Sequence, residues 1–261
     1  MKYLRTPKVQ ISIFLFLLIV IAARIFGPSA TLSLLVTCVG FTVASDILLT
    51  YLRRKKVFTT PFAAIVTGLI LTLIIDPAAN WYQILVICFA AMAIKNFVRI
   101  GNRHVLNPAA SGLLIGWVLF SLNPSWWGAT LSKGEGSFLE NAAIYGILLL
   151  IVSVSCLRLG RYLSVLSYLA VYALSLVVLG TTISGVLANT LSVGVLFFAF
   201  LMLPEPMTSP VSKKRQLLYG AGVSLLTVLF VQLIAILGLS NTPDFSLVAL
   251  LIGNSIFFKF R

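Results

Sequence analysis

Six carboxylates stand against nineteen basic side chains in a chain of 261 residues, and their placement is the first chemical clue. Asp46, Asp76, Glu205 and Asp244 fall in or beside long apolar runs, whereas Glu135 and Glu140 fall in a polar stretch and read as solvated. An ionised group at membrane depth is costly, so a paired role or a place on an ion or proton path is expected of it. Asp46 sits seven residues before Arg53, two helical turns away, which suits a partner to a base as well as a path. Asp76-Pro77 and Glu205-Pro206 each close an apolar run, and Asp244 falls at the second position of an expected helix. A carboxylate there favours the positive end of the dipole. Asn107 and Asn254 suit a pore lining or the edge of a ring pocket, and Asn107 also suits a simple helix cap. Lys95 suits a phosphate, or simply marks the end of a span. His104, the sole histidine, lies in the basic loop Gly101-Asn102-Arg103-His104 and reads as solvated. Cys38, Cys88 and Cys156 lie singly in apolar runs, without Cys-x-x-Cys spacing, so neither a cluster nor a disulfide framework is expected. The sequence shows no metal-ligand cluster, nucleotide-binding glycine loop or nucleophile triad.

The elements that hold these groups are apolar. The chain is 60% hydrophobic and 10% charged, with a mean hydropathy of +1.08. Soluble domains carry about 25% charged residues. This composition predicts an all-α integral membrane protein in a lipid bilayer. The net charge of +13 does not point to nucleic acid, because the bases cluster between apolar runs as topology determinants do. The basic start and first apolar run resemble a signal peptide. The run is long, no small-residue cleavage site is clear, and Arg24 and further spans follow, so it reads as a retained first helix. Ten segments follow from the pattern: 9–26, 29–52, 61–75, 79–100, 108–121, 142–158, 162–180, 183–203, 214–238 and 243–259. Thr60-Pro61, Asn107-Pro108 and Thr242-Pro243 each pair a cap residue with proline at an expected first helical position. With a cytoplasmic N terminus and ten spans, 17 of the 19 bases lie inside and only Arg24 and Lys133 lie outside. The expected location is the cell (inner) membrane, with both termini cytoplasmic.

Ten spans divide as five and five: a first repeat over 1–121, a connecting outer loop over 122–141 and a second repeat over 142–261. An odd number of spans per repeat inverts the second copy. The acid-proline steps at Asp76 and Glu205 match in order, as do Leu113 to Gly116 and Leu250 to Gly253, both Leu-Leu-Ile-Gly. A site between two such halves is expected. The third segment, about 22 Å long as a helix, falls short of a bilayer core of about 30 Å. It is expected to end inside the membrane, the alternative being a tilted or locally thinned fit.

Ala64-Ile65-Val66-Thr67-Gly68-Leu69, Ala93-Ile94-Lys95, Gly101-Asn102 and Asn107-Pro108-Ala109 resemble, in order and spacing, the NqrB/RnfD family. Its members are the membrane proteins NqrB, of the sodium-pumping NADH:quinone reductase, and RnfD, of the Rnf electron transport complex. Leu203-Pro204-Glu205-Pro206-Met207-Thr208-Ser209-Pro210 is similar to the family's Thr-Asp-Pro-Val-Thr-Ser-Pro, with glutamate for aspartate. Arg215 to Ala221 and Pro243 to Asn254 continue the likeness. The resemblance implies ten helices in two inverted five-helix repeats with a urea-transporter-like fold. It also implies a place in a complex that couples electron transfer to Na+ or H+ movement. Other subunits of that complex would supply electrons, since the chain shows no NADH or ferredoxin site of its own.

The family attaches FMN to the threonine of a Ser/Thr-Gly-Ala-Thr-like motif in the outer loop. Here Gly128-Ala129-Thr130 matches, but Trp127 replaces the first Ser/Thr. Thr130 is therefore the expected covalent FMN site, with Lys95 and Asn107 as further cofactor-binding residues and riboflavin as a non-covalent alternative. The residues alone allow a blander reading, in which Trp126 and Trp127 are interfacial anchors. Asp46, Asp76, Glu205, Asp244 and Asn254 are the expected ion-path residues. The rival readings are a stand-alone channel for a small solute or ion and a flavin-free scaffold.

Overall fold

A computed structural model describes residues 6–55, 61–130 and 138–260 of the chain. Nearly all of it is helix. The helices are α1 (Pro7–Phe26), α2 (Pro28–Arg54), α3 (Phe62–Ile74), α4 (Trp81–Phe97), α5 (Pro108–Phe120) and the single turn α6 (Trp127–Thr130). They continue with α7 (Phe138–Val152), α8 (Tyr162–Val178), α9 (Ile183–Thr190), α10 (Val193–Phe197), α11 (Lys213–Leu237) and α12 (Phe245–Phe257). Wider π-helical turns extend α7 over Ser153–Arg158 and α10 over Phe198–Met202. Strands β1 (Arg99–Ile100) and β2 (Arg103–His104) form a small hairpin.

The breaks have local causes. Gly27, at φ 100, turns the chain between α1 and α2, and Pro28 starts α2 with a preset φ. Ile75 turns extended ahead of Pro77 and ends α3 after 13 residues. The apolar run expected over 183–203 is not one straight helix. It bends by 48° between α9 and α10, where Ser192 takes an extended backbone at the α10 N-cap. The cluster Asn189-Thr190-Leu191-Ser192 competes with helix through its short polar side chains. At the last helix, the cap is Asp244, two residues beyond the expected Thr242, and its carboxylate accepts from Ser246 N. Pro61 holds the N-cap position of α3 rather than the first helical turn, and Thr60 lies outside the described residues.

Among the described residues, α1, α2 and α11 are long and apolar enough to cross a membrane, and the bent α9–α10 pair supplies a fourth candidate. The remaining apolar helices are shorter. With exposed Leu, Val and Ile around the bundle, this is a membrane protein. Helix α2 packs on α3 and α4, and α4 on α5; α8 packs on α11, and α11 on α12. Small residues set these crossings. A Cβ at Gly68 would collide with Thr42 and Val39 of α2, and one at Gly220 would collide with Ser164 and Ser167 of α8. Close backbone approach is what drives helix pairing in lipid, where apolar burial between helices gains little.

Candidate functional site

A cavity of about 440 Å3 opens where the two halves of the chain meet at the basic end of the bundle. One wall is α3, through Ala63, Val66, Thr67 and Ile70. A second is the start of α5, with Asn107. A third is the turn after α10, from Pro204 to Met207. The wall is apolar but for a few placed groups.

The hairpin builds one of them. Gly101, at φ 60, makes the turn, and Arg99 pairs with His104 across the strands. The Arg99 guanidinium donates to Lys95 O at 3.0 Å and to Asn102 O, tying the hairpin to α4. Strand alternation then sends Arg103 outward and His104 inward, so the histidine expected to be solvated is 6% exposed. Its Nε2 lies 2.9 Å from Glu205 Oε1, and Thr208 Oγ1 donates to Glu205 Oε2 at 3.1 Å. Asn107 caps α5 by accepting from Ala110 N at 3.0 Å, and its Nδ2 donates to Met202 O at 3.3 Å. The stretch 104–107 is thus stitched to 202–208 by two side-chain contacts about a hundred residues apart in sequence.

A smaller cavity of about 230 Å3 lies among Trp126, Tyr168, Ser192, Phe198, Asp244 and Ser246. Here the α12 cap Asp244 accepts from Trp126 Nε1 at 2.7 Å. The Ser125 and Trp126 amides donate to Ile74 O, the end of α3, at 2.9 and 3.2 Å. Trp127 is buried; its indole donates to Thr72 O at 3.0 Å and its ring meets Phe26 edge-on at 5.0 Å. Trp127 is therefore an internal fastener rather than an exposed interfacial anchor, while Trp126 is half-buried with its indole N–H held by Asp244.

The other expected site residues fall elsewhere. Asp46 and Lys95 form an ion pair at 2.9 Å between α2 and α4. Asn96 donates to the other Asp46 oxygen at 2.9 Å and accepts from Thr50 at 3.1 Å. Asp76 accepts from Ala78 N at 2.8 Å in an exposed turn. Asn254 is buried and accepts from Tyr219 OH at 2.8 Å, and that hydroxyl also lies 3.4 Å from Leu203 O. The backbone of Thr130 closes α6, but its side chain lies outside the described residues, as does Glu135. The structure thus brings Glu205 and Asn107 together at the large cavity and places Asp244 at the small one. The sequence reading missed His104 and Trp126. Their signals were a two-residue hairpin loop that sets side-chain direction and an indole N–H in need of a buried acceptor.

Apolar helices with internal polar fasteners at two cavities define an α-helical membrane protein. Sequence comparison names the family. The model of the NQR2, RnfD, RnfE family matches residues 3–133, and the chain belongs to that family. The chain is also similar to a component, designated D, of the Na(+)-translocating ferredoxin:NAD(+) oxidoreductase complex of Acetobacterium woodii. The two are 25% identical over 238 residues, covering 80% of this chain and 74% of that protein.

Proposed function

We propose that the chain is the membrane subunit of an Rnf/Nqr-type complex that couples flavin-mediated electron transfer to Na+ or H+ translocation. The observation that carries this reading is the large cavity with His104, Glu205 and Asn107 at one end. Its volume lies within the roughly 300–1,000 Å3 of small-molecule sites, and few polar groups in an apolar wall are what such sites share. A flat isoalloxazine ring suits that wall, with its polar edge toward the end where Asn107, His104 and Glu205 lie. Bound there, FMN or riboflavin would accept electrons from partner subunits and pass them on. The chain's own part is to hold the ring, keep bulk water from it and keep Glu205 beside it. Lys95, held by Asp46, braces α2 on α4 behind the site. Thr130 is the attachment point for a second, covalent FMN.

Ten crossings in two inverted five-helix repeats complete the reading, with both termini cytoplasmic. Its support is the matched packing: α2 on α4 and α4 on α5 in one half, α8 on α11 and α11 on α12 in the other. In that arrangement the large cavity faces the cytoplasm and the small one faces outward. Ions would approach Glu205 from one side and Asp244 from the other. Phe198 lines the small cavity and Leu201 the large one, so a single turn of the π-helical segment separates them. The same observation favours a second reading, a stand-alone channel.

One experiment divides these. The protein is co-expressed with a flavin-attaching transferase and purified, and flavin is measured in the acid extract and on a denaturing gel, for the native chain and Thr130→Ala. Extractable flavin supports the cavity site, and a fluorescent band lost in the variant supports the covalent one. A protein without flavin in either fraction that passes ions in vesicles would overturn the redox reading in favour of the channel.

A further inference from the structure

A second polar cluster lies beside the turn that carries Glu205, outside the large cavity. Arg161 holds the N-cap position of α8 and is 8% exposed. Its Nε has no hydrogen-bond partner among the described residues. Burial, and after it the like charge of Arg103, push the Arg161 guanidinium below its ordinary range. Gln216 Nε2 donates to Gly160 O and to Val211 O, each at 2.8 Å, which holds the start of α8 beside the turn before α11. Ser164 packs against Gly220 of α11 in this seam, and its fully buried hydroxyl has no partner among the described residues.

The charges around it are arranged against the helix dipoles. The first turns of α8 and α11 hold no acid, and α11 opens on Lys213-Lys214-Arg215. A helix start already carries about half a positive charge. Bases at two such starts repel one another and the helix amides, a repulsion that a bound anion would relieve. A guanidinium fork and helix amides together are a donor set for phosphate oxygens.

We propose that the seam between the starts of α8 and α11 binds a phosphate group, held by Arg161, with Arg103 adding to the field. A soluble phosphate ester and the headgroup of an anionic phospholipid share that chemistry. Arg161 supplies two parallel donors, which a lysine cannot.

Thermal unfolding of the purified full chain tests this. Inorganic phosphate is compared with chloride at matched ionic strength in detergent. Nanodiscs of phosphatidylcholine are compared with nanodiscs containing phosphatidylglycerol. Stabilisation by inorganic phosphate in detergent identifies a soluble phosphate ligand, and stabilisation only by phosphatidylglycerol identifies a lipid headgroup. In either arm Arg161→Gln should weaken the apparent affinity at least tenfold, Arg161→Lys less, and Lys213→Gln by about twofold at most. If Arg161→Gln does not fold, the exposed Arg103→Gln gives the same reading with a smaller loss. An equal response in native protein and Arg161→Gln, or no response to either probe, overturns the proposal.

Discussion

At the large cavity, α5 begins with a neutral cap, Asn107, and the carboxylate comes from the other half of the chain as Glu205. At the small cavity, α12 begins with a carboxylate, Asp244, and the connecting loop supplies a neutral donor, Trp126. The parts match: a short or bent helix that ends nearby, a capped helix start, and one long-range side-chain contact. The distribution of charge is reversed. An ionised cap offsets the positive end of its own helix. Asp244 does so for α12, whereas the start of α5 relies on Glu205 across the seam. The large cavity therefore depends on both halves staying together, while the charge balance of the small one is set within α12.

The largest expected effect comes from filling one cavity and sparing the other. Ala63→Trp places an indole in the large cavity, and bound flavin should fall at least tenfold, or about 1.4 kcal/mol. Gly194→Trp, in the small cavity, should leave flavin content unchanged. Flavin released on denaturation, per mole of protein, measures both, and equal losses would erase the distinction drawn above.

Next is the cap of α12. Asp244→Ala removes both the cap and the partner of a half-buried indole, so unfolding stability should fall by about 2–3 kcal/mol. Trp126→Phe should cost about 1–3 kcal/mol. A double-mutant cycle by denaturant unfolding should show strong coupling, since the two share one hydrogen bond.

Glu205→Gln keeps a hydrogen-bonding group opposite His104 but removes the charge. Stability should change by less than about 1 kcal/mol, while ion uptake in vesicles holding the assembled complex should slow severalfold. Normal uptake would remove Glu205 from the ion path. Asp76→Asn should do least. Asn preserves the side-chain turn, and an exposed site should shift stability by no more than about 0.5 kcal/mol. A transport defect there as large as that of Glu205→Gln would restore the equivalence of the two acid-proline turns.

The two acid-proline steps show where legibility stopped. Both were readable as ends of apolar runs, and both are. Their environments differ because one faces an open turn and the other meets a buried histidine, and no spacing rule relates residue 205 to residue 104. The capping role of Asn107 was readable, since Asn-Pro before an apolar run has a local mechanism. The α9–α10 bend is not legible in the sequence because its break is polar rather than glycine or proline. Asp46 suited both a pair and a path. The structure assigns it to Lys95 and Asn96, partners about fifty positions away that helix packing alone brings near.

By itself the sequence determined the membrane class, the helical state of each apolar run and most helix starts. Those follow from local physics: lipid leaves backbone groups no partner but their own helix, and caps and prolines act within a few residues. Only the tertiary structure decided which polar groups meet. A hydrogen bond has a reach of about 3 Å, and whether His104 finds Glu205, or Trp126 finds Asp244, depends on how helices from both halves cross.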